Sequence, residues 1–342
     1  MNKKLVAIVA VSGAVLSMVA VAAEVSVYGK AHLSADNLND GDNSGGFLSS
    51  NSSRFGVKGS SEVGSGLTGL FQFETGVALD AGGANLFSGG RDSFVGVKGG
   101  FGTLRGGRLS EGGSNAWVYD ANLFADQVGD AGNFTGSIGV GGRGDNALNY
   151  ATPTFGGFNA NVTYIPDEST VTTAEESMGA TLRFGVAGLT LGGHYYQFGD
   201  DTVAPDRKVM AASAGYSVGL VSLNAMYVQH KNEGNVNGAD RDIATLGAGF
   251  KLGGGLIKAQ YSMADDVDRT PNSGATMWAV GYDHTVAKNM TVYVAYAQVD
   301  NDPAANFTPN NYGHGDSPTV AAGKDPSGFS LGVVYDFSFT GK

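Results

Sequence analysis

From Val25 to its last residues this sequence is written with a period of two. In FSLGVVYDFSF, residues 329 to 339, Phe329, Leu331, Val333, Tyr335, Phe337 and Phe339 share one face of an extended strand, while Ser330, Gly332, Val334, Asp336 and Ser338 share the other. Leu67, Phe71, Phe73 and Val77 likewise oppose Thr68, Gln72 and Glu74, and Met178, Ala180, Leu182, Phe184 and Val186 oppose Thr181 and Arg183. About sixteen such segments follow one another. Approximate spans are 24–36, 52–61, 66–77, 91–99, 101–109, 143–151, 155–165, 177–186, 188–199, 207–217, 219–230, 241–252, 255–264, 274–285, 288–300 and 328–339. So many two-faced strands supply too few wholly apolar runs for a conventional interior.

The joints between segments decide what the two faces are for. Short Gly-rich joints such as VGSG, FGG, VAG and LGGG alternate with long polar ones such as DNLNDGDNSGG and NDPAANFTPNNYGHGDSPTVAAGKDPS. Seven short turns and eight long loops follow from the segment spans. In hydrocarbon every backbone N–H and C=O needs a partner within the protein, which strands achieve only in a closed barrel. A barrel of about sixteen strands leaves a wet lumen, so oil belongs outside and polar groups inside. The expected fold is therefore all-β: a transmembrane antiparallel barrel with short turns on one side and long loops on the other. Tyr28, Tyr150, Tyr164, Tyr227, Tyr261, Tyr282 and Tyr296, toward segment ends, are expected in the interfacial girdles.

Composition narrows the alternatives. The 55 glycines follow no three-residue period, which excludes collagen, and the absence of cysteine excludes a disulfide framework or thiolate metal site. A net charge of -11 argues against nucleic acid as a partner. MNKK, the apolar run Leu5 to Val21 and the small residues Ala20, Ala22 and Ala23 read as a secretory signal peptide over residues 1–23, cleaved after Ala23 or Ala22. Residues 24–342 then form one barrel domain, and no later apolar run is long enough for a spanning helix.

No enzyme is expected. His32, His194, His230, His284 and His314 lie in separate segments without a G-x-S-x-G or H-E-x-x-H motif. GGFGTLRGG is a turn between strands, not a phosphate loop, and the Asp/Gly-rich NDGDNSGG lacks the ligand order of an EF-hand, so no cofactor or metal is implied. A barrel acting mainly as an adhesin or structural surface protein is the alternative, since eight outer loops would present a variable surface. A soluble β-sandwich lectin is more distant.

Four stretches carry a family likeness: SVYGKAHLS near the mature start, SRFGVKGSSEVGSGLTGLFQFETG at 53–76, SFVGVKGGFGTLRGGR at 93–108 and RGDNALNYATPTFGGFNANVTY at 143–164. Together they resemble a Gram-negative general porin of the sixteen-stranded, trimeric kind. The resemblance implies an outer-membrane homotrimer, exported through the periplasm and bedded in outer-membrane lipid, that passes ions and small hydrophilic solutes passively. It also implies that the long third loop, about 110–142, folds into the lumen and narrows it. Asp126 and Asp130 then correspond to the constriction acids, and Lys30, Arg54, Arg91 and Arg143 to the basic ladder opposite. Parity supports Lys30, Arg54 and Arg143 independently, whereas Arg91 shares parity with Val95 and Val97. Arg105, Arg183, Glu111 and Asp120 are second-tier lumen residues, Asp120 as a brace for the loop. Thr340, Gly341 and Lys342 extend past Phe339, the aromatic position on which the family usually ends.

Overall fold

Alternation becomes pairing in a computed structural model that describes residues 24–81, 87–110, 115–136, 143–168, 176–199 and 205–341. The leader, Glu111 and Lys342 lie outside the described residues. The strands are β1 (Glu24–Asn39), β2 (Ser44–Ser50), β3 (Arg54–Gly64), β4 (Leu67–Val77), β5 (Phe87–Gly90), β6 (Ser93–Gly99), β7 (Gly102–Leu109), β8 (Gly144–Ala151) and β9 (Phe158–Ile165). They continue as β10 (Ser177–Val186), β11 (Leu189–Gln197), β12 (Lys208–Val218), β13 (Val221–Lys231), β14 (Arg241–Leu252), β15 (Gly255–Ala264), β16 (Ala275–Ala287), β17 (Met290–Asn301) and β18 (Ser327–Gly341). Two short helices, α1 (Asn115–Tyr119) and α2 (Gly132–Thr135), lie between β7 and β8.

Eighteen segments make sixteen staves. β2 and β3 lie end to end beside β1, opposite Leu33 to Asn39 and Glu24 to Lys30 respectively, and β5 and β6 share the edge of β4. Every pairing is antiparallel, and β1 closes on β18 from Val25 opposite Gly341 to Asn39 opposite Ser327. The result is a closed barrel of sixteen antiparallel staves.

The last segment keeps its period of two in the fold. Phe329, Leu331, Tyr335 and Phe339 stand exposed on the outer face, while Ser330 is fully buried inside. Rings also fill the space that strand glycines leave. A Cβ built at Gly29 would lie 2.5 Å from the Phe337 ring outside, and one at Gly332 would overlap the Tyr293 ring inside. Glycine thus provides the floor on which an aromatic neighbour lies flat.

Four expectations need correction. DNLNDGDNSGG is not a loop: β1 continues to Asn39, the chain turns through an Asp40 N–H to Asn43 C=O bond of 3.0 Å, and β2 returns. β5 was also unforeseen, because its Gly/Ser content carries no strand signal. Tyr28 belongs to the lumen face and donates to Glu74 Oε2 at 2.9 Å, so it is no girdle residue. Thr340 and Gly341 are not a free tail but the last paired residues of β18, with the Ser26 and Thr340 hydroxyls 2.8 Å apart.

The inner face is not polar throughout. Val209, Val228, Ile243, Met277, Ala279, Ala297 and Val299 point inward and are buried. Val118, Phe124, Val128 and Phe134 of the segment after β7 cover them, forming two apolar clusters between loop and wall. Oil faces inward where loop, not water, meets the barrel.

Candidate functional site

The described part of the β7–β8 connection (loop 3), residues 115–136, reaches from β10–β12 to β15 and β1 across the lumen. α1 lies against β10 to β12, with the Trp117 carbonyl accepting from Ser213 Oγ at 3.4 Å and Asp120 pairing with Arg183 at 3.1 Å. Asp120 and Arg183 thus link the loop to β10. Further on, Leu123 N–H donates to Gln260 Oε1 at 2.9 Å and Gln260 Nε2 donates to the Gly129 carbonyl at 3.0 Å. Lys258 Nζ donates to the Leu123 carbonyl at 2.9 Å. Neither Lys258 nor Gln260 was anticipated as a site residue; their inward parity in GLIKAQYSMA was readable, but nothing local shows that the loop lands there.

Asp126 stands at the turn between these anchors, in a left-handed conformation with φ 60° that aspartate tolerates better than most residues. Its carboxylate meets Lys30 Nζ at 2.7 Å, with both side chains partly exposed. Burial pushes the Asp126 carboxyl up, yet the charge and hydrogen bond of Lys30, together with the Ser52 hydroxyl, hold it below the usual carboxylate range.

Asp130 is placed differently from Asp126. It is 1% exposed, and its oxygens accept from Asn122 Nδ2 at 2.6 Å, Gly132 N–H at 2.7 Å and Asp126 N–H at 2.7 Å. It therefore lies beneath the loop rather than on the lumen surface, because the turn needs an acceptor for its backbone donors. Burial, followed by the Asp126 charge, pushes this carboxyl up to about 7.

The four expected bases lie in or beside strands between β1 and β8. Lys30 and Arg54 are direct partners across the β1–β3 ladder. Arg91 lies in the break between β5 and β6, which resets the strand phase and explains its wrong parity; Nε donates to Glu74 Oε1 at 2.5 Å. Arg143 precedes β8 and donates from Nε to Asp92 Oδ1 at 2.7 Å. Arg105 lies deeper, bonded through Nε and an Nη to Asn149 Oδ1 at 3.2 and 2.7 Å and placed over the Phe94 ring. Among the described residues no acid pairs with Arg54.

A second loop meets loop 3. Residues 302–326, loop 8, fold inward onto loop 3 instead of standing clear of the barrel. The Pro309 carbonyl accepts from Gly129 N–H at 2.7 Å, and Asn133 Oδ1 accepts from Asn311 N–H at 2.7 Å and Tyr312 N–H at 2.6 Å. The Tyr312 ring covers Gly132 and stacks on Tyr119, while Ser52 Oγ donates to the Gly313 carbonyl at 3.1 Å.

A closed barrel, oiled outside and polar within, narrowed by a folded loop, defines the class of outer-membrane channel proteins. A model of the Gram-negative porin family matches residues 5–304, and the chain belongs to that family. It is 29% identical to outer membrane porin protein 32 of Delftia acidovorans, over 98% of this chain and 100% of the relative. Among solved structures it is similar to the anion-selective porin from Comamonas acidovorans, at 26% identity and a TM-score of 0.80, covering 92% of this chain and 100% of that one. It shares its fold with OmpT of Vibrio cholerae at 18% identity and a TM-score of 0.68, covering 94% of this chain and 99% of that one. The protein is an outer-membrane channel for diffusion.

Proposed function

We propose that the channel passes ions and small hydrophilic solutes through a charged constriction that favours anions, and that it works as a homotrimer. The observation that carries the anion preference is the imbalance of the wall. Lys30, Arg54, Arg91 and Arg143 face the lumen against Asp126, Glu74 and Asp92, and Arg54 has no acid of its own among the described residues. Arg91 and Arg143 each use Nε for their acid. Burial removes Asp130 from the lumen account.

The net charge of the chain is negative, but much of the acid lies in outer loops, among them Asp40, Asp42, Asp266 and Asp268. Salt screens charges beyond about 10 Å at 0.1 M, whereas the narrowest point focuses the field of its own lining. Selectivity therefore follows the wall rather than the total. The likeness to a porin described as anion-selective supports the same sign. Flow is down the gradient, since weak binding is what lets solutes leave. Planar-bilayer recording under a salt gradient tests the reading: the reversal potential takes the sign of an anion-preferring pore, and a cation-preferring value would refute it. Trimer assembly is read from the mass of the detergent-extracted protein.

A further inference from the structure

We infer that Lys258 is the positioning residue of the constriction: a charged side chain that touches no solute but seats loop 3, and through it Asp126, against the barrel. This inference rests on the channel reading above and assigns a role to a wall residue outside the four expected bases.

Lys258 is 2% exposed, an unusual place for a lysine. Its ammonium has three donors, and three acceptors meet them: the Leu123 carbonyl at 2.9 Å, Gln127 Oε1 at 2.8 Å and Asp283 Oδ2 at 2.8 Å. The Phe124 ring covers the same nitrogen at 4.5 Å. Three of these four partners belong to consecutive turns of loop 3, and Asp283 belongs to the neighbouring strand β16. Gly281, the ladder partner of Lys258, leaves room for the Phe124 edge, 3.0 Å from a Cβ built there. Two residues along the same face, Gln260 takes the other backbone group of Leu123 and the Gly129 carbonyl. The clamp thus grips the chain on both sides of Asp126, at 123, 127 and 129. Gly129, with φ 86°, could not carry a side chain there, since a Cβ would strike the Ala279 methyl.

A lumen lysine that served solutes would keep its ammonium in water. Here the ammonium bridges the loop to the wall, with two of its three acceptors on loop 3, and removing it leaves Asp283 partly exposed and solvated rather than orphaned. Loss of Lys258 should therefore free the loop without breaking the barrel.

The test uses the full-length protein, whose lack of cysteine makes an engineered disulfide unambiguous. A Cβ at Gly247 would lie 3.2 Å from Leu123 Cγ, so L123C/G247C can tether the same stretch of loop to the wall. K258M is expected to keep the heat-modifiable mobility of a folded barrel but lose the single conductance level of the wild type. K258M/L123C/G247C is expected to regain that level when oxidised and lose it on reduction. Wild-type conductance and reversal potential in K258M would overturn the inference. So would a K258M barrel that fails to insert with or without the tether, because Lys258 would then serve the barrel itself. A wild-type barrel that passes no current would instead defeat the channel reading.

Discussion

Lys30 of β1 and Asp126 of loop 3 meet at 2.7 Å, one on the wall and one at the apex of the crossing loop, four residues from an aspartate of opposite circumstances. Asp126 is partly exposed and Asp130 is buried. Replacing them separately should therefore give different phenotypes. D126N shifts the reversal potential further toward anions and costs about 1 kcal/mol or less, as expected of a partly exposed pair. D130N leaves the reversal potential near the wild-type value but raises current noise, because an amide cannot accept from all three donors that the carboxylate serves. Equal shifts in the two variants would sink the assignment.

Acid titration separates the same pair by sign. The folded value of Asp126 lies below its unfolded one, so its contribution to seating the loop is present above about pH 4 and is lost as pH falls through the depressed value. Asp130 runs the other way: with its carboxyl raised to about 7, its contribution is full in acid and declines as pH rises through that value. Reversal potentials recorded from neutrality down to about pH 4 should hold steady in wild type. Current noise should fall over the same range, and D130N should abolish that fall.

Among the described residues Arg54 has no acid to lose. R54Q is expected to reduce anion preference with a stability change of about 0.5 kcal/mol or less, the usual scale for a surface group outside any network. Bilayer recording and thermal unfolding in detergent report the two quantities independently. A large loss of stability would reveal a hidden structural role.

On the outer face the test is lipid itself. Leu331 is 53% exposed on the side that faces hydrocarbon. L331R should weaken insertion by about 2–4 kcal/mol if the residue lies at mid-bilayer. The neighbouring S330T, inside the barrel, should not weaken insertion by that mechanism. Refolding into vesicles of defined composition measures both.

How much of this was readable in the chain follows physical lines. The spans 241–252 and 255–264 match β14 and β15 to the residue, because alternating side chains on a two-sided wall leave an unbroken local trace. β2 and β5 left none, since Ser and Gly pair through their backbones without announcing a face. Arg91 looked misplaced because parity presumes a continuous strand, and the stave breaks beside it. Asp126 and Asp130 looked equivalent because spacing cannot show which carboxylate a turn will bury. Lys258, Gln260 and the inward course of loop 8 depend on contacts more than a hundred residues apart in sequence, such as Lys258 with Leu123 and Tyr312 with Asn133. No local pattern carries them.

The seam between β1 and β18 has a consequence for assembly. The first and last staves are each other's neighbours, so the ladder lacks a partner along one whole side until the end of the chain arrives. A polypeptide stopped short of β18 would not make a narrower tube; it would present two raw sheet margins to lipid, where unpaired amides have nothing to bond. Maturation is therefore tied to the fifteen residues of β18, and the cell has a physical reason to keep the exported polypeptide from committing to the membrane before they are in hand.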